Sequence, residues 1–298
     1  DTLMGLAIGR LLQGSGAIAS ATMALAADYT RLEQRTKASA IIGASIGVSF
    51  ALALVLGPIL AAWGGLARVF EATAVMGGLG LMVVLIGLPA TPQLTNGGRA
   101  HIADRKRLGE ALWGQGLGIM YASIFCLHLL LMAAFPAIPA VMTEQVGLPP
   151  TQHAWLYLAT LCGAVPGVAM LVRRCQELDD PRPLLALSVL LTALGLVTAL
   201  WASSLLVLGV GLMLFFVGFT ALETILPAIV SVIAPTSLRG TAMGIFSSAQ
   251  FLGVFIGGAL GGNAFHAGGA LGLVAVLSML TGIWLAGLWR YARGPIAA

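Results

Sequence analysis

Nine long apolar runs, parted by short polar breaks, set the hydropathic pattern of this chain. They lie at about residues 2–27, 38–63, 69–88, 112–141, 154–172, 184–202, 205–233, 240–265 and 270–288. Crossing a bilayer takes about 20 residues of helix, a length these runs reach. Backbone groups in lipid must be satisfied within the segment, so each run is predicted to be a helix. The one extended polar stretch, residues 93–110, follows the third run and carries Arg99, Arg105, Lys106 and Arg107. The pattern therefore predicts an all-α polytopic membrane protein. Three spans occupy residues 1–92, a linker residues 93–111, and a six-helix bundle residues 112–298.

Composition sharpens this. Hydrophobic residues make up 59% of the chain and charged residues 9%. A soluble domain carries roughly 25% charged residues, so too little polar material is present to cover a water-facing surface. When the loops are assigned alternately to two sides, thirteen of the 15 lysines and arginines fall on one side and only Arg68 on the other. Arg10 lies inside a span. Basic loops mark the cytoplasmic side, which places the linker and the C-terminus there. The same scatter argues against nucleic acid as a partner. Cys126, Cys162 and Cys175 show neither metal-ligand spacing nor a disulfide framework. No cofactor or metal is expected.

The two parts of the chain repeat. A shift of 204 residues lays Arg35 on Arg239, Ala38 on Ala242 and Gly57 on Gly261. Small residues recur every fourth position in both copies: Ser45, Ser49, Ala53 and Gly57 against Ala249, Gly253, Gly257 and Gly261. Ala159, Gly163 and Gly167 form a similar row. Spacing of four sets them on one helix face, where small side chains let a neighbouring helix approach closely. Parallel repeats of this kind occur in transporters that rock two halves about a central site.

Several segments resemble a known family. RLLQGSG (Arg10–Gly16) looks like the fourth-helix motif of the proton-coupled antiporters of the major facilitator superfamily. LALVLGPILAA (Leu52–Ala62) looks like their fifth-helix antiporter motif, centred on Gly57 and Pro58. Ala61 and Ala62 stand where that motif usually has two glycines. AADYTRLEQRTKA (Ala26–Ala38), CLHLLLMAAFPAIP (Cys126–Pro139), LFFVGFTALETILPAIVS (Leu214–Ser231) and RGTAMGIFSSAQFLGVFIGGALGG (Arg239–Gly262) resemble the bacterial YajR branch of that family. The resemblance implies a twelve-helix inner-membrane carrier, here an N-terminally truncated fragment holding nine helices. It also implies export of small compounds against proton entry, with protons, a small-molecule substrate and the bilayer as partners. The carrier is expected to be a monomer.

Candidate chemistry sits on a few polar residues inside the spans. A charge in mid-membrane costs about 2.5–3.5 kcal/mol on insertion scales, so Arg10 should either face the bundle interior with a partner or snorkel to the near interface. The resemblance ties it to proton coupling. Glu223 lies mid-span between Phe216, Phe219 and Pro227; desolvation there penalises a charged carboxylate, so it is either the titrating group a proton-coupled carrier needs or a permanently protonated acid bonded to a neighbouring helix. His128 is a candidate relay or a neutral interhelical hydrogen bonder. Asp28 by resemblance answers the family's loop motif in a cytoplasmic charge lock, and from physics alone is a solvated helix end; Arg35, Arg239, Gly57 and Pro58 are the further candidates for the conformational switch. Gln250, Tyr121 and Trp155 are candidate cavity residues. Glu71 near Arg68 reads as a surface pair.

Two motifs mislead. GASIG (Gly43–Gly47) matches a hydrolase elbow but lies in a continuous membrane helix rather than a strand–turn–helix. GQGLG (Gly114–Gly118) lacks the strand a dinucleotide loop requires. The sequence thus points to a secondary transporter, a proton-driven exporter of small amphipathic compounds. A passive facilitator or uptake carrier, and an intramembrane enzyme, are the other classes to distinguish.

Overall fold

The computed structural model describes residues 35–87 and 116–291 except 179, 236 and 237, with a few isolated positions before 35 and between 109 and 114. These residues form six helical elements: α1 (Arg35–Gly87), α2 (Leu117–Ala134), α3 (Pro150–Glu177), α4 (Arg182–Leu200), α5 (Leu205–Ile233) and α6 (Arg239–Tyr291). All six contain stretches long and apolar enough to cross a membrane.

Two of them are pairs of helices. Gly64 and Gly65 leave helical geometry inside α1, and Gly269 does so inside α6. Gly65 and Gly269 have φ of +70° and +58°, a left-handed backbone that only glycine adopts without steric cost. The turns fall where the sequence places breaks between its second and third, and eighth and ninth, apolar runs. GASIG is continuous helix within α1. The fourth run extends further than the hydropathy suggested. Pro136 and Pro139 each remove an amide donor, and the chain answers with a 3-10 turn at Phe135–Ala137, one α turn at Ile138–Ala140 and a π turn at Val141–Gln145. α3 likewise starts earlier than its apolar run, at Pro150, where a proline's missing N–H costs nothing. Ser204 caps α5 by accepting from the Val207 amide at 3.4 Å.

The core lies among α2, α3, α4, α5 and α6. Phe215, Phe216, Leu127, Leu130, Leu196 and Leu208 are fully buried there. Close approach of backbones, rather than side-chain bulk, sets two of the contacts. Gly253, Gly257 and Gly261 of α6 lie against the carbonyls of Phe125, Leu129 and Ala133 of α2. Gly195 of α4 and Gly211 of α5 pack backbone on backbone, and Gly218 abuts Ser188 and Thr192. Lipid gives no hydrophobic drive between helices, so van der Waals packing of this kind is what holds them. Gly163 and Gly167 of α3 receive Met213 and Val217 of α5, and α1 packs on α3. The outward faces stay apolar, with Val165, Met170, Leu206, Phe255 and Ile283 exposed. That is the surface a bilayer requires.

Candidate functional site

Three polar side chains from three helices converge at the middle of the bundle. His128 of α2 is buried, 7% exposed. Its Nε2 stands 3.5 Å from Oε1 of Glu223 on α5 and 2.9 Å from the amide nitrogen of Gln250 on α6. Its Nδ1 lies 3.2 Å from the carbonyl oxygen of Ile124, one turn back on α2. A carbonyl only accepts, so Nδ1 carries the proton in this arrangement. Nε2 of the neutral ring is then an acceptor, and the Gln250 amide donates to it.

Glu223 is the member left over. Its Oε1 is buried and makes no hydrogen bond among the described residues. Although that oxygen is within ion-pair reach of His128, the ring nitrogen facing it already accepts from Gln250. An orphaned carboxyl oxygen at this depth costs a few kcal/mol if charged, and less if it holds a proton. Pro227, four residues on inside α5, cannot donate to the Glu223 carbonyl, which loses its ordinary helical donor.

Aromatic rings wall the site on one side. His128 lies 5.7 Å from Phe219, which stacks on Phe215 at 5.3 Å. Phe135 then links Phe215 to Tyr157, at 5.5 and 5.7 Å. The row lines that side of the site with apolar surface.

The other sequence-selected residues fall elsewhere. Tyr121 is buried and its hydroxyl donates to the Ala111 carbonyl at 2.8 Å. Trp155 is 68% exposed. Arg35 opens α1 and Arg239 opens α6. Gly57 is half-buried beside Pro58, and a Cβ at position 57 would meet nothing within 4 Å among the described residues. Arg68 and Glu71 form an exposed pair at 2.7 Å, as the sequence suggested. Arg10 and Asp28 lie outside the described residues.

One buried polar pair was not anticipated. Trp284 of α6 donates its Nε1 hydrogen to Ser123 Oγ of α2 at 3.0 Å. A tryptophan in an apolar span needs a partner for its N–H, which is a signal. Which partner it finds depends on packing that periodicity does not contain.

Comparison with known proteins places these features in a family. The model of the Major Facilitator Superfamily matches residues 2–125 and 120–297. The inner membrane transport protein YajR of Escherichia coli K12 is 36% identical over 293 residues, spanning 96% of this chain and 63% of that protein. An uncharacterized transporter of Buchnera aphidicola from Acyrthosiphon pisum is 30% identical over 257 residues, 86% of this chain and 66% of its own length. A second, from the Baizongia pistaciae symbiont, is 28% identical over 272 residues, with 89% and 68% covered. The chain thus spans about two thirds of the length of these relatives.

Proposed function

The chain belongs to the major facilitator superfamily, and from that premise we propose that its protein is a proton-driven exporter of small amphipathic compounds working by alternating access. The observation that carries this reading is the orphaned Oε1 of Glu223 beside His128 Nε2. With one proton the pair is electrically neutral, whether the proton sits on the carboxyl or on the ring. Without it, the pair holds one negative charge in the membrane.

That difference is what an antiporter uses. An uncompensated charge in a span is costly, so the proton-free state favours any conformation that admits a cationic substrate or water to it. A proton entering from outside then displaces the substrate and restores the neutral state. Proton and substrate then bind alternately, and each biases the conformation it fits better. The close-packed stripes of α2–α6 and α4–α5 support bundles that move as rigid units. A passive facilitator needs no carboxyl buried beside an imidazole.

The remaining expectations are part of the same proposal: a monomer in a bacterial inner membrane, C-terminus cytoplasmic, with residues 93–111 linking two bundles. Proteoliposomes containing the full-length protein test it. An imposed pH gradient should drive accumulation of a lipophilic cation, and a protonophore should abolish it. Accumulation indifferent to the protonophore would replace antiport by facilitated diffusion.

A further inference from the structure

We propose that Gln250 is a positioning residue for proton coupling, which sets the nitrogen of His128 that holds the proton and gives up its bond when Nε2 becomes protonated. The inference rests on the reading of Glu223 and His128 as the proton-handling pair. It assigns to Gln250 a role other than lining a cavity.

The geometry is specific. Nε2 of His128 faces two groups at once, the Gln250 amide nitrogen at 2.9 Å and Glu223 Oε1 at 3.5 Å. One ring nitrogen with one lone pair serves one donor. While the Gln250 N–H points at that lone pair, Nδ1 must be the protonated nitrogen, and the Ile124 carbonyl at 3.2 Å accepts from it. Gln250 and Ile124 together therefore hold the Nδ1–H tautomer.

Proton transfer reverses these roles. When the proton of the Glu223 carboxyl moves to Nε2, an N–H forms, a carboxylate is left, and the new N–H donates to Oε1. Both ring nitrogens are now donors. The Gln250 amide hydrogens then point at an N–H, so the amide must turn over to present its oxygen or let go. Among the described residues, the polar groups that face His128 are Glu223 from α5, the uncharged Gln250 from α6, and the Ile124 carbonyl from α2 itself. A proton step on α2 and α5 is thus felt by α6.

The place of this contact matters. Gln250 precedes Gly253, Gly257 and Gly261, the stripe on which α6 rests against α2. Loss of the bond releases a polar tie beside the glycine stripe, where α6 rests on the α2 backbone by close packing. The protonation state of the pair is thereby coupled to how α6 sits on α2.

Two measurements on the full-length protein in liposomes test this. The first is the nitrogen-15 spectrum of His128 in the wild type, compared with Gln250→Met, which keeps the length of the side chain and removes the donor. The neutral wild-type ring should be the Nδ1–H tautomer, with Nε2 in contact with the Gln250 amide. The variant should shift toward Nε2–H bonded to Glu223. An Nε2–H tautomer in the wild type, or the same tautomer in both proteins, overturns the proposal. The second is substrate-driven proton flux against pH. Gln250→Met should move the midpoint of the profile by about half a pH unit or more, the equivalent of one hydrogen bond, with substrate KM within about twofold. A changed KM on an unmoved profile would make Gln250 a cavity residue. Proton flux that survives Glu223→Gln would instead overturn the coupling reading, and the tautomer result would stand apart from it.

Discussion

Gly257 of α6 lies against the carbonyl of Leu129 of α2 so closely that any Cβ at position 257 would overlap that oxygen. Gly253 and Gly261 repeat the contact one turn to either side, against Phe125 and Ala133. Gly258, next in sequence, has nothing within 4 Å of its would-be Cβ among the described residues. Among those residues, one glycine face is packed and the other is open.

A substitution pair follows. Gly257→Val should destabilise the protein by about 1–3 kcal/mol, because the backbone of α2 cannot yield as a flexible side chain would. Gly258→Ala should be neutral or gain a few tenths, alanine being the better helix former. Thermal unfolding in detergent checks both. Equal melting temperatures for the two variants would mean the α2–α6 seam is not close-packed.

The buried bond from Trp284 to Ser123 should behave as an interhelical hydrogen bond in lipid. Such bonds average about 0.6 kcal/mol in double-mutant cycles and reach about 1.7. A cycle of Trp284→Phe and Ser123→Ala should give a coupling in that range. A coupling of zero would make the pair a coincidence of packing.

Arg68 and Glu71 should contribute little. Their side chains are more than half exposed, at 55% and 59%. Surface pairs are typically worth about 0–1 kcal/mol and are screened by salt. Arg68→Gln should leave stability within about 0.5 kcal/mol and transport unchanged. A large loss of transport would show that this end of α1 has a role beyond the local pair.

Pro227 is expected to separate stability from activity. Pro227→Ala returns an amide donor to α5 opposite the Glu223 carbonyl. The melting temperature should stay level or rise while proton-coupled transport falls, since the restored donor stiffens the turn that carries the carboxyl. Unchanged transport would show that the proline has no part in coupling.

Much of this was legible in the chain. Apolar run length alone located the spans from residue 38 onward, because lipid leaves a backbone few alternatives to helix. The periodic small residues marked the seam on α6. Glu223, His128 and Gln250 each stood out as polar residues in apolar surroundings. Their meeting was not legible: it depends on how α2, α5 and α6 are rotated about their own axes, and single-helix periodicity cannot supply that for residues on separate helices. The same holds for Ser123 and Trp284. The fourth run was read across Pro136 and Pro139 to residue 141, and the helix does pass both; the final π turn, Val141–Gln145, was hidden because its polar Thr143, Glu144 and Gln145 end the apolar run.

The central claim is that Glu223 carries the coupled proton. Proton movement driven by a lipophilic cation, followed in proteoliposomes of the full-length protein with a trapped pH dye, tests it most directly. Glu223→Gln keeps the shape and removes the titrating group, so substrate-driven proton flux should fall to the rate of empty liposomes, and Glu223→Asp should retain part of it. Wild-type proton flux in Glu223→Gln would contradict the account and move coupling to another residue.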